Sequence, residues 1–97
     1  MIDVRFHPEA QAEYQDALAW YQVRSRQAAE RFEAETDRVL DLIQANPGLF
    51  PKYDEEHRFV MLRRFPYSLV YQVQPDQILV VAVAHSRRSA DFWQGRA

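Results

Sequence analysis

The residues best suited to chemistry lie near the end of the chain, where His85 is followed by Arg87 and Arg88. A histidine titrates near neutral pH and can transfer a proton, while an arginine presents a planar set of donors that fits a phosphate or a carboxylate. Together they could cut RNA without a metal, because that reaction needs proton transfer beside a stabilised phosphate. The same residues could instead bind an acidic partner, and a histidine at a strand end often has a purely structural role.

Arginine is concentrated in the second half of an otherwise acidic protein. Residues 57–97 carry six arginines and two aspartates, a balance of +4, whereas residues 1–56 carry six basic and twelve acidic side chains, a balance of −6. The clustering predicts an anionic partner for the second half, although a solvated sheet face would explain the same arginines. The candidate residues for binding a target or a partner protein are Arg58, Arg64, His85, Arg87, Arg88 and Trp93.

Arg58 and Arg64 carry a further expectation. Both belong to a run of alternating residues that predicts one strand, so a period of two places them on one face and allows joint contact with an anion. Pairing with acidic helices would satisfy them equally well. If the protein is a nuclease, its candidate catalytic residues are His85, Arg87 and Arg64, with Glu55 or Glu56 as the base.

The sequence predicts no metal site and no cofactor. His7, His57 and His85 fall on three separate elements, and the chain has no cysteine, so the usual ligand spacings of zinc sites are missing. The lack of cysteine also excludes a disulfide framework and suits a reducing compartment. The N-terminus has no leader-like pattern and no apolar run approaches the ~20 residues of a membrane span, so we expect a cytoplasmic protein.

The elements that must position these residues belong to one domain, residues 1–97, whose 47% hydrophobic content suffices for a single core. Ile2, Val4 and Phe6 alternate as a short strand. Two stretches with helical spacing follow, separated by the polar residues 24–26 and ended by the breaker at 46–48, and they predict an antiparallel helical hairpin. The faces opposite its apolar stripes carry Glu13, Asp16, Glu30, Glu33, Asp37 and Asp41.

Aromatic residues at helical spacing in this hairpin are Trp20, Tyr21 and Phe32. We expect them in the core or in contacts between the two helices, with Trp20 as the one that could face a partner.

The second half of the chain predicts three strands after a loop at 49–56. They cover residues 58–64, 67–73 and 78–84, with a turn at 74–77. The last of them, ILVVAVA, is apolar without alternation, which predicts a strand at the centre of the sheet with both faces covered and with His85 at its end. The predicted fold class is α+β, with element order βααβββ.

Several motifs make this chain resemble the ParE/RelE toxin superfamily. They are the run RFVMLRRFPYSLVYQV at 58–73, the segment AVAHSRR at 82–88 with Trp93 after it, and the pairs Trp20-Tyr21 and Arg31-Phe32 on the two helices. The resemblance implies a helical hairpin packed on a twisted, mainly antiparallel four-stranded sheet. It also implies the toxin of a type II toxin–antitoxin system, held inactive by an antitoxin whose disordered segment folds on it.

The superfamily contains mRNA endonucleases of the RelE type, which act on the ribosome, and DNA gyrase inhibitors of the ParE type. In the mRNA-cleaving branch the resemblance implies an arginine before the LVYQV stretch, lysines on the preceding strand, an arginine after the last strand and an aromatic hydroxyl in the tail. Ser68, Phe59, Met61 and Trp93 occupy these positions, and Arg87 alone remains as a match. We therefore favour a ParE-like, non-enzymatic toxin that acts on DNA gyrase.

Two alternatives stay open. One is an mRNA endonuclease centred on His85, although a net charge of −2 and a pI near 5.9 disfavour docking on ribosomal RNA. The other is a non-toxic member of the superfamily that retains only antitoxin binding. The expected partners are a cognate antitoxin, DNA gyrase and, less strongly, the ribosome and mRNA, with no membrane. A toxin dimer or a toxin–antitoxin hetero-oligomer is the expected assembly.

Overall fold

The computed structural model describes residues 2–97 and confirms the predicted order of one strand, two helices and three strands. The elements are β1 (Asp3–Phe6), α1 (Pro8–Arg24), α2 (Arg26–Ala45), β2 (Arg58–Met61), β3 (Tyr67–Val73) and β4 (Gln77–His85). The strands form one sheet in the order β1-β4-β3-β2, in which β1 runs parallel to β4 and the other neighbours are antiparallel. The interior position of β4 and the α+β fold class are therefore as predicted.

The two helices are joined by a single residue, Ser25. Its backbone N–H donates to the Tyr21 carbonyl and ends α1, while its Oγ accepts from the Ala28 N–H at 3.2 Å and begins α2. At the other end of α1, Pro8 suits the first helical position, and the His7 Nδ1 accepts a hydrogen bond from the backbone N–H of Glu9 in the first turn. So short a link makes the helices pack against each other. Among residues 2–97, no helix is both long and apolar enough to cross a membrane.

One face of the sheet packs against the helices around Phe32, which is fully buried. Its ring lies 5.2 Å from Tyr21, 5.3 Å from Phe65 and 5.5 Å from Tyr67, measured between centroids. Aromatic pairs at these distances add stability beyond their buried area. The apolar stripe of the helical hairpin is therefore the inner core, as its spacing predicts.

The opposite face of the sheet is covered by the tail that follows β4. Trp93 is only 2% exposed and packs with Val70, Val81 and Ala82, and its ring lies 4.7 Å from His57. This cover explains why β4 is apolar on both faces. It also corrects the prediction that Trp93 contacts a partner, because a buried indole has almost no surface to offer.

The second strand of the sheet is shorter than the sequence pattern predicts. β2 ends at Met61, and the Leu62 N–H donates to the Tyr67 carbonyl at 2.9 Å, which closes the turn into β3. Leu62 is buried, and Arg64 adopts a left-handed backbone with φ of 67°. The prediction that Arg58 and Arg64 share one strand face is therefore wrong, because the chain leaves the sheet between them.

Candidate functional site

His85 stands at the end of β4, opposite Tyr67 of β3. The two rings are perpendicular, with 5.0 Å between centroids. The His85 Nδ1 accepts a hydrogen bond from the Arg87 backbone N–H at 3.0 Å, so the neutral ring carries its proton on Nε2. Burial, with a smaller contribution from Tyr21, raises the pKa of Tyr67. The imidazole is thus held in one orientation with a single nitrogen left for an outside contact.

Arg87 and Arg88 follow His85 but have different surroundings. Arg87 is exposed, and its guanidinium forms no ion pair within the part of the chain that the structure describes. The Arg88 guanidinium lies 4.0 Å from the centre of the Phe92 ring and 3.8 Å from the Glu13 carboxylate, and its side chain remains 54% exposed. Arg88 is therefore oriented by packing, whereas Arg87 projects freely.

A groove of about 430 Å³ lies between α1 and the end of β4 and includes His85, Arg88 and Trp20 in its lining. Trp20 is 52% exposed, and the Arg24 guanidinium stacks 3.8 Å above its ring. Helical spacing alone does not reveal this exposure, since Trp20 adjoins the buried stripe of α1. We name the residues Trp20, His85, Arg87 and Arg88 the β4-end surface.

Beside this surface, Glu13 ties the tail to the body. It is not on an open acidic face, as the sequence suggests, but has a side chain only 14% exposed. It accepts bonds from the Arg96 guanidinium at 2.7 and 3.0 Å and from the Val83 N–H at 3.0 Å. β1 pairs with β4 only as far as Val80, so the Val83 N–H has no strand partner on that side. Pairing with Glu13 raises the pKa of Arg96. Arg96 therefore has a structural role.

Arg64 lies in a different place, against α2. A cavity of about 640 Å³ there has an arginine-rich lining, which we name the α2 arginine cavity and define by Arg31, Arg38, Arg63 and Arg64. The acidic residue in its lining is Glu35. The Glu35 carboxylate accepts hydrogen bonds from Arg38 Nε at 2.7 Å and Nη2 at 2.8 Å and from the Arg63 backbone N–H at 2.6 Å. The bond from Arg38 is the main reason that the pKa of Glu35 is lowered.

Arg58 lies at the other end of the sheet from His85. It pairs with Tyr71, four residues along β3 from Tyr67, which corresponds to roughly 13 Å at ~3.3 Å per residue. Its Nη1 donates to the Phe50 carbonyl at 2.6 Å and so holds the preceding loop. Glu55 and Glu56 line a cavity with Arg58 there, so the candidate bases are not brought to His85. Across residues 2–97, no three His, Asp or Glu side chains converge to hold a metal.

The family model of the ParE toxin of the type II toxin–antitoxin system, parDE, matches residues 4–90. The chain belongs to the ParE toxin family. Its fold is similar to a solved chain of the chromosomal ParDE toxin–antitoxin system from P. aeruginosa, with a TM-score of 0.73. That likeness has 20% identity, covers 88% of this chain and 96% of the other, and shows the fold alone. No curated protein matches the chain.

Family membership makes this protein the toxin of a type II toxin–antitoxin pair and gives it a cognate antitoxin as partner. The ParE/RelE resemblance is thereby confirmed. Of the residues predicted for binding, the toxin brings His85, Arg87 and Arg88 together, places Arg58 and Arg64 elsewhere and buries Trp93.

The outer face of the toxin's sheet has a groove of about 260 Å³ beside His85. Phe59 and Ser68, which stand where the mRNA-cleaving branch has cationic residues, both line it, together with Ala84 and Phe92. Of the positions implied by the resemblance, those of Phe59, Ser68 and Trp93 therefore lie around one groove, whereas Met61 does not line it. In this toxin Phe59 supplies a phenyl ring and Ser68 an uncharged hydroxyl there, and among residues 2–97 Arg88, stacked on Phe92, is the only arginine or lysine of the groove's lining.

Proposed function

We propose that this toxin stops growth by binding DNA gyrase in the cytoplasm and that it does not cut mRNA. The observation that carries the proposal is the apolar groove beside His85, where Phe59 and Ser68 replace the cations that a ribonuclease needs. Stabilising charge on a phosphate in the transition state depends on donors fixed around that phosphate. Phe59 brings no donor and Ser68 no charge, and Arg88 is the only arginine or lysine among residues 2–97 that lines the groove.

The proton-transfer groups also fail to converge. The His85 Nδ1 is occupied by the Arg87 N–H, Glu55 lies at the far end of the sheet, and Arg64 lines a separate cavity. General acid–base catalysis requires its groups within hydrogen-bond reach of one substrate atom. This separation supports a toxin that acts by binding a protein.

The β4-end surface suits that role. Trp20 offers a half-exposed indole and Arg87 an unpaired guanidinium, and these are the residue types that most often dominate the binding energy of an interface. We place the gyrase contact here. Arg88, held on Phe92, presents its charge with little loss of side-chain freedom on binding.

The test is a supercoiling assay with purified gyrase, run beside primer extension on translated message. We expect the toxin to inhibit supercoiling, antitoxin to relieve the inhibition, and the message to stay intact. Arg87→Glu should weaken inhibition by at least about tenfold, since a reversed charge opposes an acidic partner. Arg5→Glu is the matched control, because Arg5 is also exposed and lies on β1.

The opposite result is equally distinct. Cuts at ribosomal A-site codons that disappear in His85→Ala, with supercoiling unaffected, would replace the gyrase proposal by the mRNA-cleaving one. For assembly, we expect the toxin and its antitoxin to purify as one hetero-oligomer, because binding supplies the free energy that orders the antitoxin segment.

A further inference from the structure

The α2 arginine cavity is a second basic surface that the gyrase proposal does not use. It is formed where the turn after β2 meets one flank of α2, on which Arg31 and Arg38 lie two helical turns apart. Arg63 and Arg64 reach it from the turn. Two distant segments of the chain thus bring four guanidiniums to one concavity.

The charges of this cavity are not balanced. Glu35 pairs with Arg38 at 2.7 and 2.8 Å and so neutralises one arginine. Within residues 2–97, the guanidiniums of Arg31, Arg63 and Arg64 form no ion pair with a carboxylate. Glu35 accepts the backbone N–H of Arg63, and the Arg63 charge adds a smaller contribution that lowers the pKa of Glu35. Three unpaired positive charges therefore line a cavity of about 640 Å³.

The backbone at Arg64 is an independent observation at the same place. Its φ of 67° puts a residue with a Cβ in the left-handed region, which is sterically costly for any residue except glycine. Such outliers concentrate at functional sites. Here the left-handed residue is an arginine that lines the cavity.

The other flank of α2 limits the kind of anion that can bind. Glu30, Glu33 and Asp37 are exposed there at spacings of three and four residues, and the charges of Glu33 and Asp37 add to burial in raising the pKa of Tyr14 on α1. This acidic stripe lies within reach of an extended polyanion, since charges act over ~8 Å at physiological salt. A nucleic acid laid across α2 would be repelled, whereas a short acidic segment confined to the cavity would not.

One apolar residue extends the arginine-bearing flank of α2. Leu42, four residues after Arg38, is 41% exposed. A partner segment that carries both carboxylates and apolar side chains therefore matches the surface better than a nucleic acid does.

We propose that the α2 arginine cavity binds an acidic segment of the cognate antitoxin. The proposal rests on the toxin–antitoxin role and not on gyrase as the target. It gives the two basic surfaces separate partners: the antitoxin holds the toxin at α2, and the β4-end surface contacts the target.

The first experiment measures the affinity of full-length toxin for its antitoxin at two salt concentrations. We expect Arg31→Glu with Arg64→Glu to bind at least about tenfold more weakly and to lose most of the salt dependence, because both changes remove steering charges. Arg5→Glu with Arg26→Glu changes the net charge equally at exposed sites outside the cavity and should bind like wild type. Wild-type affinity in the Arg31/Arg64 variant would overturn the proposal, whatever the result with gyrase.

A second experiment separates the kind of anion. A short poly-glutamate peptide and a thymidine oligonucleotide of the same charge are titrated into toxin, and the peptide should compete with antitoxin more strongly. Arg31→Gln with Arg64→Gln removes the attraction without adding acids beside Glu35, so a thermal unfolding curve like that of wild type is expected with weakened peptide binding. Competition by the oligonucleotide alone would overturn the proposal in favour of a nucleic acid.

Discussion

Two helical carboxylates, Glu13 of α1 and Glu35 of α2, hold the β half of the toxin in the same way. Each accepts two hydrogen bonds from one guanidinium, Arg96 or Arg38, and one from a backbone N–H of the β half. Beside each ion pair lie other arginines whose guanidiniums, within residues 2–97, donate no pair of hydrogen bonds to a carboxylate. They are Arg87 and Arg88 at the tail and Arg31, Arg63 and Arg64 at the α2 arginine cavity. The toxin thus presents two regions of similar construction, one at the tail and one at the α2 arginine cavity.

The regions differ in what their ion pairs join. Glu13 and Arg96 are 83 residues apart, and both side chains are largely buried, so their pair fixes the whole tail. Glu35 and Arg38 are three residues apart on one helix, and Arg38 keeps 37% of its side chain exposed. Only the bond from the Arg63 N–H joins separate elements there. The two carboxylate–guanidinium pairs have similar geometry but should therefore contribute unequally to stability. Glu13→Gln and Glu35→Gln test this difference.

The largest loss is expected for Glu13→Gln. The amide can still accept from the Val83 N–H, but Arg96, 9% exposed, is left without its main counter-charge. Removing one partner of a buried pair costs about 3 kcal/mol or more. Chemical denaturation measures the loss, and Trp93 fluorescence in a Trp20→Phe background reports whether the tail is released. Glu9→Gln is the control, because Glu9 is 66% exposed and should matter by less than ~1 kcal/mol.

A smaller loss, about 1–2 kcal/mol, is expected for Glu35→Gln, since hydrogen bonds to a charged group are weakened without a buried charge being stranded. It should also depend on pH. The pKa of folded Glu35 lies below its ordinary value of 4.5, so the unfolded chain binds more protons in that window. The contribution is therefore complete above pH 4.5 and is lost as the pH falls through the folded pKa. The denaturation curves of wild type and variant should differ at neutral pH and converge at acidic pH, and a difference independent of pH would contradict this account.

Much of the fold follows from the sequence because periodicity reports burial. The unbroken apolar run at 78–84 identified the central strand, and the structure supplies the cover that this run requires, namely Phe92 and Trp93 of the tail. These two aromatic residues in a polar tail were the available signal. The residue type of Trp93 predicts a binding residue, because tryptophan favours interfaces, but residue type alone does not distinguish a core from a surface.

The candidate site could be predicted only in part, because neighbours in sequence are not neighbours in space. Alternation from Arg58 to Arg64 continues a strand pattern through the turn at Leu62, so the sequence predicts one face for two arginines that the structure places apart. The +4 balance of residues 57–97 was real, but Arg58 and Arg96 are tied to the structure. Such long-range partners as Glu13 leave no periodic trace in the sequence.

Reversing Arg87 and Arg88 together should change stability little compared with the carboxylate variants. Arg87 is exposed to solvent, and Arg88→Glu loses its stacking on Phe92 and its long ion pair with Glu13 at a half-exposed side chain, so about 1 kcal/mol in total is expected. Thermal unfolding gives the value. A loss as large as that for Glu13→Gln would mean that these arginines belong to the structure and not to a binding surface.

The smallest effect on stability is expected for Arg64→Gly. Glycine adopts the φ of 67° without a Cβ clash but gains freedom in the unfolded chain, so the two contributions, each about 1 kcal/mol, nearly cancel. Antitoxin affinity should fall nonetheless. Unchanged unfolding together with unchanged affinity would show that the left-handed arginine serves neither the fold nor the partner.

The central claim is that the toxin contacts its target and its antitoxin through separate basic surfaces. Its most direct measurement is growth of cells that express each double variant with and without the antitoxin, at verified equal expression. We expect Arg87→Glu with Arg88→Glu to abolish growth inhibition, and Arg31→Glu with Arg64→Glu to remain toxic while escaping neutralisation. Full rescue of the second variant by antitoxin, or full toxicity of the first, would contradict the account.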